Sequence, residues 1–269
     1  MHFYYHFSIA KTLIHRYTFN DGTASDVIGG ISWMGTIGAG ASISNGKFIL
    51  NGIPGSYLQL PADLLGNSSA ISIEGWVTTR SNSDFARVFQ LGKNIGSSWI
   101  GASYSMTLMN INDLFCFVFY PSPNVDIAVC TGATFDNKPN THFVIVLKDQ
   151  DYAKVYINGL LVGITSTVIS VPESIHDTIN RFGAGTDTYN GGYPLNGDID
   201  EIRIWNGSLS QADISANYIA GADNLYLSEL LLLLFLDQIY DIICLLIIVM
   251  NLIIAYNNIS YSNYDIGDD

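Results

Sequence analysis

"NGDIDEIRIWNGSLSQADI", residues 196–214, carries two periodicities in succession. Its first half alternates: Asp198, Asp200, Ile202 and Ile204 fall on one face of an extended chain, and Ile199, Glu201, Arg203 and Trp205 on the other. Its second half opens a helix. Ser210 and Asp213 have the spacing of a capping box, Leu209 and Ile214 that of a hydrophobic staple, and Gly221 stands where a helix would close. A late strand running into one short helix is therefore expected near the end of a folded body. Asp200 shares its face with two isoleucines and is expected at the rim of the core. An uncompensated charge there costs several kcal/mol, so it needs a partner. Glu201 is expected to pair with Arg203 or with a base on a neighbouring strand.

Outward from this stretch, residues 13–203 read as short strands punctuated by turns, with no other helical periodicity. "LIHRYTF" alternates Leu13, His15, Tyr17 and Phe19. "SISNGKFIL" and "KVYINGLLVG" each centre an Asn-Gly pair, Asn45-Gly46 and Asn158-Gly159, between apolar runs. Asn-Gly suits the type I′ turn, which needs positive φ at both central residues and matches the twist of paired strands. "SYLQL", "AISIEGWVTT", "ARVFQLG", "YSMTLMN", "LFCFVFY" and "HFVIVLK" supply enough further strands for two packed antiparallel sheets. An all-β sandwich of this length is expected to form a single domain.

The formal charge of −13 excludes a typical nucleic-acid binder, because 11 scattered basic residues build no patch for phosphates. All the basic residues lie at or before Arg203; the acidic residues from Asp223 to Asp269 have none to balance them. The sandwich region is only mildly acidic, which favours solubility and names no partner.

Of the 3 cysteines, Cys244 sits in an apolar tail, so only Cys116 and Cys130 are placed to pair. A loop of four residues, Pro121 to Asn124, would set Cys116 opposite Val129 and turn the two sulfurs to opposite faces. The expectation is therefore two small buried hydrophobes, with a disulfide as the alternative. The N-terminal "MHFYYHFSIAK" lacks a leading basic residue and a clean cleavage site, and makes a poor secretion signal. Asn-x-Ser triplets at Asn67, Asn206 and Asn258 do not establish a compartment.

"HRYTFNDGTASDVIGG", "ASISNGKFILNG", "SYLQLPADLL", "AISIEGWVT", "FARVFQLG", "HFVIVLKDQDYAKVYINGLLVG" and "NGDIDEIRIWNGSLSQADI" together resemble, in that order, the LamG-like modules of the concanavalin A-like lectin and glucanase superfamily. The resemblance covers residues 13–221, with residues 1–12 as an N-terminal extension and 222–269 as a tail. It implies a jelly-roll sandwich that binds glycans or extracellular proteins, mostly without catalysis, outside the cell or at its surface. Trp205, where the family more often has a smaller aromatic, and the tail depart from the pattern.

The resemblance also frames the acids. The superfamily's glucanases are similar in carrying E-x-D-x-E on one strand, and here the fifth position from Asp198 is Ile202. A retaining glycosidase needs two carboxyls about 5–5.5 Å apart, so no catalytic residues are assigned. Many members hold a structural calcium, an ion that takes 6–8 oxygens. Asp21 or Asp26 in "FNDGTASDVIGG", with nearby main-chain carbonyls and Asp200, are the candidate ligands because the family's first and last strands are neighbours; the alternative makes Asp21 and Asp26 turn residues bonded to their own backbone. The five histidines do not have zinc-ligand spacing.

Sugar rings stack on exposed aromatics. Trp33, Trp99, Tyr104, Tyr189 and Tyr193 lie in or beside Gly- and Ser-rich loops and are the candidate ligand-binding residues, whereas Trp76 and Trp205 read as core and Arg87 as a salt-bridge former. The tail, from Leu230, contains one apolar run, residues 239–256, of roughly 27 Å as a helix, which only just crosses a bilayer core of about 30 Å. A membrane anchor, an apolar segment folding onto a partner, and translation past the true end of the gene remain open for it.

Overall fold

The structure, a computed structural model, describes residues 11–66, 68–93, 105–122, 125–148, 150–166, 177–186, 189–225, 243 and 245–253. The chain divides into two units, Met1–Leu225 and Tyr226–Asp269. The first is a jelly-roll sandwich of antiparallel sheets. One sheet contains β1 (Thr12–Tyr17), β3 (Ala41–Ser44), β4 (Lys47–Asn51), β6 (Ala70–Thr79), β11 (Thr141–Lys148), β12 (Tyr152–Ile157), β13 (Leu160–Thr165) and β15 (Asn196–Asn206). Its order is β13-β12-β11-β6-β15-β4-β3, with β1 beside the second half of β15. The other contains β2 (Thr36–Ile37), β5 (Leu58–Leu60), β7 (Arg87–Gly92), β8 (Ser105–Ile111), β9 (Leu114–Ser122), β10 (Val125–Thr134) and β14 (Ile179–Phe182), in the order β10-β9-β8-β7-β14-β5-β2.

Local chemistry places the turns and the helix. Asn45 and Gly46 (φ 52° and 72°) and Asn158 and Gly159 (φ 50° and 78°) take the left-handed pairs of type I′ hairpins, joining β3 to β4 and β12 to β13. Helix α1 (Gln211–Ala220) starts at Ser210, whose side chain accepts from the Asp213 N–H, while the Asp213 carboxylate accepts from the Ser210 N–H at 2.9 Å. Leu209 and Ile214 are both buried, packed with Val144, Val146 and Tyr156 on the outer face of the eight-stranded sheet. Between the sheets, Phe89 of β7 stands 6.1 Å from Phe143 of β11 and 5.5 Å from Phe182 of β14 by ring centroid. Such interdigitation across the two inner faces is what makes truncating a core phenylalanine cost about 3–5 kcal/mol.

Two expectations from simple alternation are overturned, both by bulges. Cys116 and Cys130 lie directly opposite in the β9–β10 pairing and form a disulfide, with sulfurs 2.12 Å apart. Val125 pairs with Ser122, leaving two residues in the turn rather than four, and a register shift between Val125 and Ile127 takes up the extra residue that brings the cysteines level. In β15 a register shift between Ile199 and Glu201 inserts Asp200 as the additional residue. Ile199 thereby joins Ile202 and Ile204 in the core, and Asp200 faces away from it, half-buried, with its carboxylate 2.8 Å from Lys47 Nζ. The acid expected at the rim of the core sits on the outer face instead.

Trp76 is buried outside the sandwich core, beneath Arg203, whose guanidinium carbon lies 4.5 Å over its ring. Trp205 packs beside the apolar cluster under α1. In the second unit, residues 245–253 are helical and apolar; among the described residues no helix is long and apolar enough to cross a membrane. Residues 239–242, 244 and 254–256 of the expected span lie outside the described residues.

Candidate functional site

The acids of the last strand are each held by a base. Asp198 meets Arg80 Nη2 at 2.7 Å and Asp200 meets Lys47. Glu201, fully buried, accepts from Arg16 Nε and Arg203 Nε, both at 2.6 Å, and from the Asp223 N–H. Burial pushes the Glu201 carboxyl up, but the hydrogen bonds and charges of Arg16 and Arg203 more than offset it and leave it below the usual range. Next to it, Glu74 of β6 accepts from Trp205 Nε1 at 3.0 Å and Asn217 Nδ2 at 3.1 Å, and lies 2.9 Å from His142 Nε2. Arg203 faces Glu74 directly in register. This buried network clamps α1 and residues 221–225 to the sheet. Its signals in the sequence are Glu74, the one charge inside the apolar "AISIEGWV", and Arg203, the one base in "DIDEIRIW"; what makes them partners is the β6–β15 register.

The three candidate calcium ligands occupy three separate settings. Asp21 closes a local turn, accepting from the Thr23 N–H at 2.9 Å and the Thr23 hydroxyl at 2.8 Å. Asp26 is buried; its Oδ1 accepts from the N–H groups of Arg16, Ile28 and Gly29, and its Oδ2 lies 2.6 Å from His15 Nδ1. Burial raises the Asp26 carboxyl, and these donors outweigh it and lower it. Asp200 belongs to Lys47. Among the described residues no three of Asp, Glu, His or Cys are grouped to hold a metal ion.

The aromatic candidates also separate. Trp33 is half-buried, its ring 4.4 Å from His15 and its carbonyl accepting from the Tyr17 hydroxyl at 2.8 Å, so it wedges the 20–35 loop against the sandwich. Trp99 and Tyr104 lie outside the described residues. Tyr189 opens the turn Tyr189–Gly192, and its side chain lies outside the described residues. Tyr193 is half-buried, edge-on to Phe85 at 5.5 Å, with the Arg87 guanidinium 5.4 Å from its ring centroid.

A different constellation emerges on the outer face of the seven-stranded sheet. Leu58, Leu60, Phe182, Phe89, Leu91, Met106 and Leu108 point into the core, so their neighbours point outward. The registers Gln59↔Arg181, Arg181↔Gln90 and Gln90↔Thr107 then set four polar side chains in one row across β5, β14, β7 and β8, of which Gln59 and Arg181 are half-buried and Gln90 and Thr107 buried. Arg181 is anchored rather than free to sweep. Its Nε donates to Gln59 Oε1 at 2.9 Å, its Nη1 to the Gly185 carbonyl at 3.0 Å, and its guanidinium carbon lies 4.1 Å over the Tyr57 ring. Gln90 Oε1 accepts from the Thr186 N–H at 2.8 Å. Arg87 Nη1 reaches the Gly192 carbonyl at 3.4 Å. Gly185 makes the convergence possible: a Cβ there would lie 1.8 Å from Arg87 Nη1 and 2.7 Å from Gln90 Oε1. No aspartate or glutamate occurs in β5, β7, β8 or β14. Sequence reading found only Tyr193 of this group, because the row is assembled from strands far apart in the chain.

Comparison with known proteins places this architecture. A search of curated proteins found no match to the sequence. Domain 4 of AbnA, a GH43 extracellular arabinanase from Geobacillus stearothermophilus solved with arabinotriose, is similar at 21% identity and TM-score 0.63, over 76% of this chain and 97% of that domain. The botulinum neurotoxin serotype G binding domain is similar at 16% identity and TM-score 0.58, and the Trypanosoma rangeli sialidase solved with sialic acid at 15% and 0.58, each over 77% of this chain. The chain spans 51% of the neurotoxin domain and 33% of the sialidase. A laminin G family model, described as "Concanavalin A-like lectin/glucanases superfamily", matches residues 51–215. Matched by that model over more than half its length, the chain belongs to the concanavalin A-like lectin/glucanases superfamily.

Proposed function

We propose that the chain is a non-catalytic glycan-binding module whose ligand lies on the outer face of the seven-stranded sheet, against the half-buried Tyr57, Gln59, Arg181 and Tyr193. The observation that carries this is the row of anchored donors and acceptors flanked by two tyrosines, on strands without a carboxylate. Aromatic surface with a few convergent, pre-oriented polar groups is what sugar recognition needs, whereas hydrolysis needs opposed carboxyls. The arabinotriose and sialic acid with which the similar arabinanase domain and sialidase were solved support the same reading. The disulfide favours an oxidising, extracellular setting, and the apolar helix in the tail suits attachment to a membrane or a partner.

The test is a glycan array with the full chain, repeated with Tyr57→Ala and Gly185→Ala, beside a reducing-end assay on β-glucans. Binding that both variants weaken at least fivefold, with no sugar released, is expected. Unchanged binding in both variants overturns the site, and released sugar overturns the absence of catalysis.

A second reading, protein interaction, is favoured by one observation. Val27, Ile28, Ile31 and Met34 are all exposed within a single loop, Ile31 at 82%. Contiguous exposed apolar residues of this kind mark contact surfaces.

A further inference from the structure

We infer that the ligand of this face is a saccharide bearing a carboxylate, recognised by Arg181. The inference rests on the glycan-binding reading above and narrows it to acidic sugars.

The chain is rich in acids, 24 against 11 bases, and it spends them on its arginines. Arg16 holds Glu201, Arg80 holds Asp198, and Arg203 holds Glu201 and faces Glu74. Arg181 is half-buried and has no carboxylate partner among the described residues. Its partners are an amide oxygen, a main-chain carbonyl and the face of a tyrosine, all neutral. A guanidinium has five N–H donors in a fixed fork. Gln59 takes the one on Nε and Gly185 takes one on Nη1, which leaves three, two of them on Nη2. Nη2 makes no hydrogen bond among the described residues and is not among the buried polar atoms without a partner, so it opens to solvent.

The geometry is therefore a pre-oriented cation with an unfilled end. Anchoring by Gln59 and Tyr57 removes most of the side-chain entropy that binding would otherwise cost. The remaining donors match a planar two-oxygen acceptor, and charge-assisted contacts of this kind are about twice as strong as neutral ones. A neutral hydroxyl would use one or two donors and leave the charge uncompensated. The Tyr57 ring then meets the rest of the sugar, while the amides of Gln59 and the buried Gln90 are spent bracing the row.

The experiment uses the full chain and two matched pairs of probes by calorimetry: an oligogalacturonate with its carboxyl-reduced counterpart, and a sialylated lactose with lactose. The two pairs distinguish a uronate from a sialate as the source of the carboxylate. The acidic member of at least one pair is expected to bind about tenfold or more tightly than its neutral partner. Arg181→Gln should abolish that preference, Arg181→Lys should restore only part of it, and added salt should weaken the acidic ligand alone. Thermal melts confirm that the variants fold. If each pair binds equally and Arg181→Gln weakens both members alike, the acidic specificity is wrong while the site stands. If no probe and no glycan binds, or if neither Arg181→Gln nor Tyr57→Ala has any effect, the site itself is wrong and the inference falls with it.

Discussion

Arg203 Nε and Glu201 Oε1, two positions apart on one strand, meet at 2.6 Å with neither side chain exposed to solvent. Neighbours two apart share a face of a strand, and here that face is covered by the Arg16 side chain, α1 and residues 221–225. Arg16 supplies the second cation to the same carboxylate, and the Asn224 carbonyl accepts from Arg203 Nη2 at 3.0 Å. Glu201→Ala leaves Arg203 buried without its nearest counter-charge, and breaking a buried pair from one side costs about 3–5 kcal/mol. Urea unfolding should show a loss of that size; a loss under about 1 kcal/mol would mean that solvent reaches the site.

The same network sets an acid limit on stability. Glu201 and Asp26 both have folded-state pKa values below their ordinary ones. A depressed carboxyl contributes stability that is complete above its unfolded value, about 4.3 for Glu and 3.9 for Asp, and is lost as pH falls through the folded value. Asp177 works the other way: burial raises it, against hydrogen bonds from Asn180 and from the N–H groups of Leu64 and Leu65, and its contribution fades as pH rises through the raised value. With Asp21 and Asp213 also lowered by their hydrogen bonds, four lowered acids against one raised predict a melting temperature that drops steeply below about pH 4. Glu201→Gln should flatten that limb, and a limb identical to wild type would remove Glu201 from the account.

The Cys116–Cys130 disulfide closes a short loop, with a sequence separation of 14. Chain-entropy reasoning gives about 3 kcal/mol for a loop of this size. Alkylation of the denatured chain should add one adduct before reduction, at Cys244, and three after it. Reductant should lower the urea midpoint, and three adducts without reductant would show the bond absent.

The helix cap can be tested alone, since the Ser210 side chain hydrogen-bonds only to Asp213 in its own first turn among the described residues. Ser210→Ala should cost about 1 kcal/mol in urea unfolding. No change would mean that α1 is held by the packing of Leu209 and Ile214 and by the reach of Asn217 to Glu74, independently of its cap.

Asp21, Asp26 and Asp200 each have their own protein donors, so a chelator should leave the melting temperature unmoved. A drop of several degrees in EDTA, restored by calcium, would reveal an ion held by other oxygens.

What the sequence determined by itself is whatever depends on near neighbours. Asn-Gly at 45–46 and 158–159 bends a hairpin because the pair tolerates positive φ. Ser210 and Asp213 cap a helix because four consecutive residues supply both donor and acceptor. The ordered set of strands was enough to recognise a jelly roll. The tertiary structure alone decided the rest. Residue alternation assumes an unbroken pleat, and bulges at Val125/Ile127 and Ile199/Glu201 reversed it, joining two cysteines and turning Asp200 out of the core. The row Gln59, Arg181, Gln90 and Thr107 exists only because β14 lies between β5 and β7. Which strands become neighbours is settled by burying both inner faces at once, a condition on the whole chain that no local stretch contains.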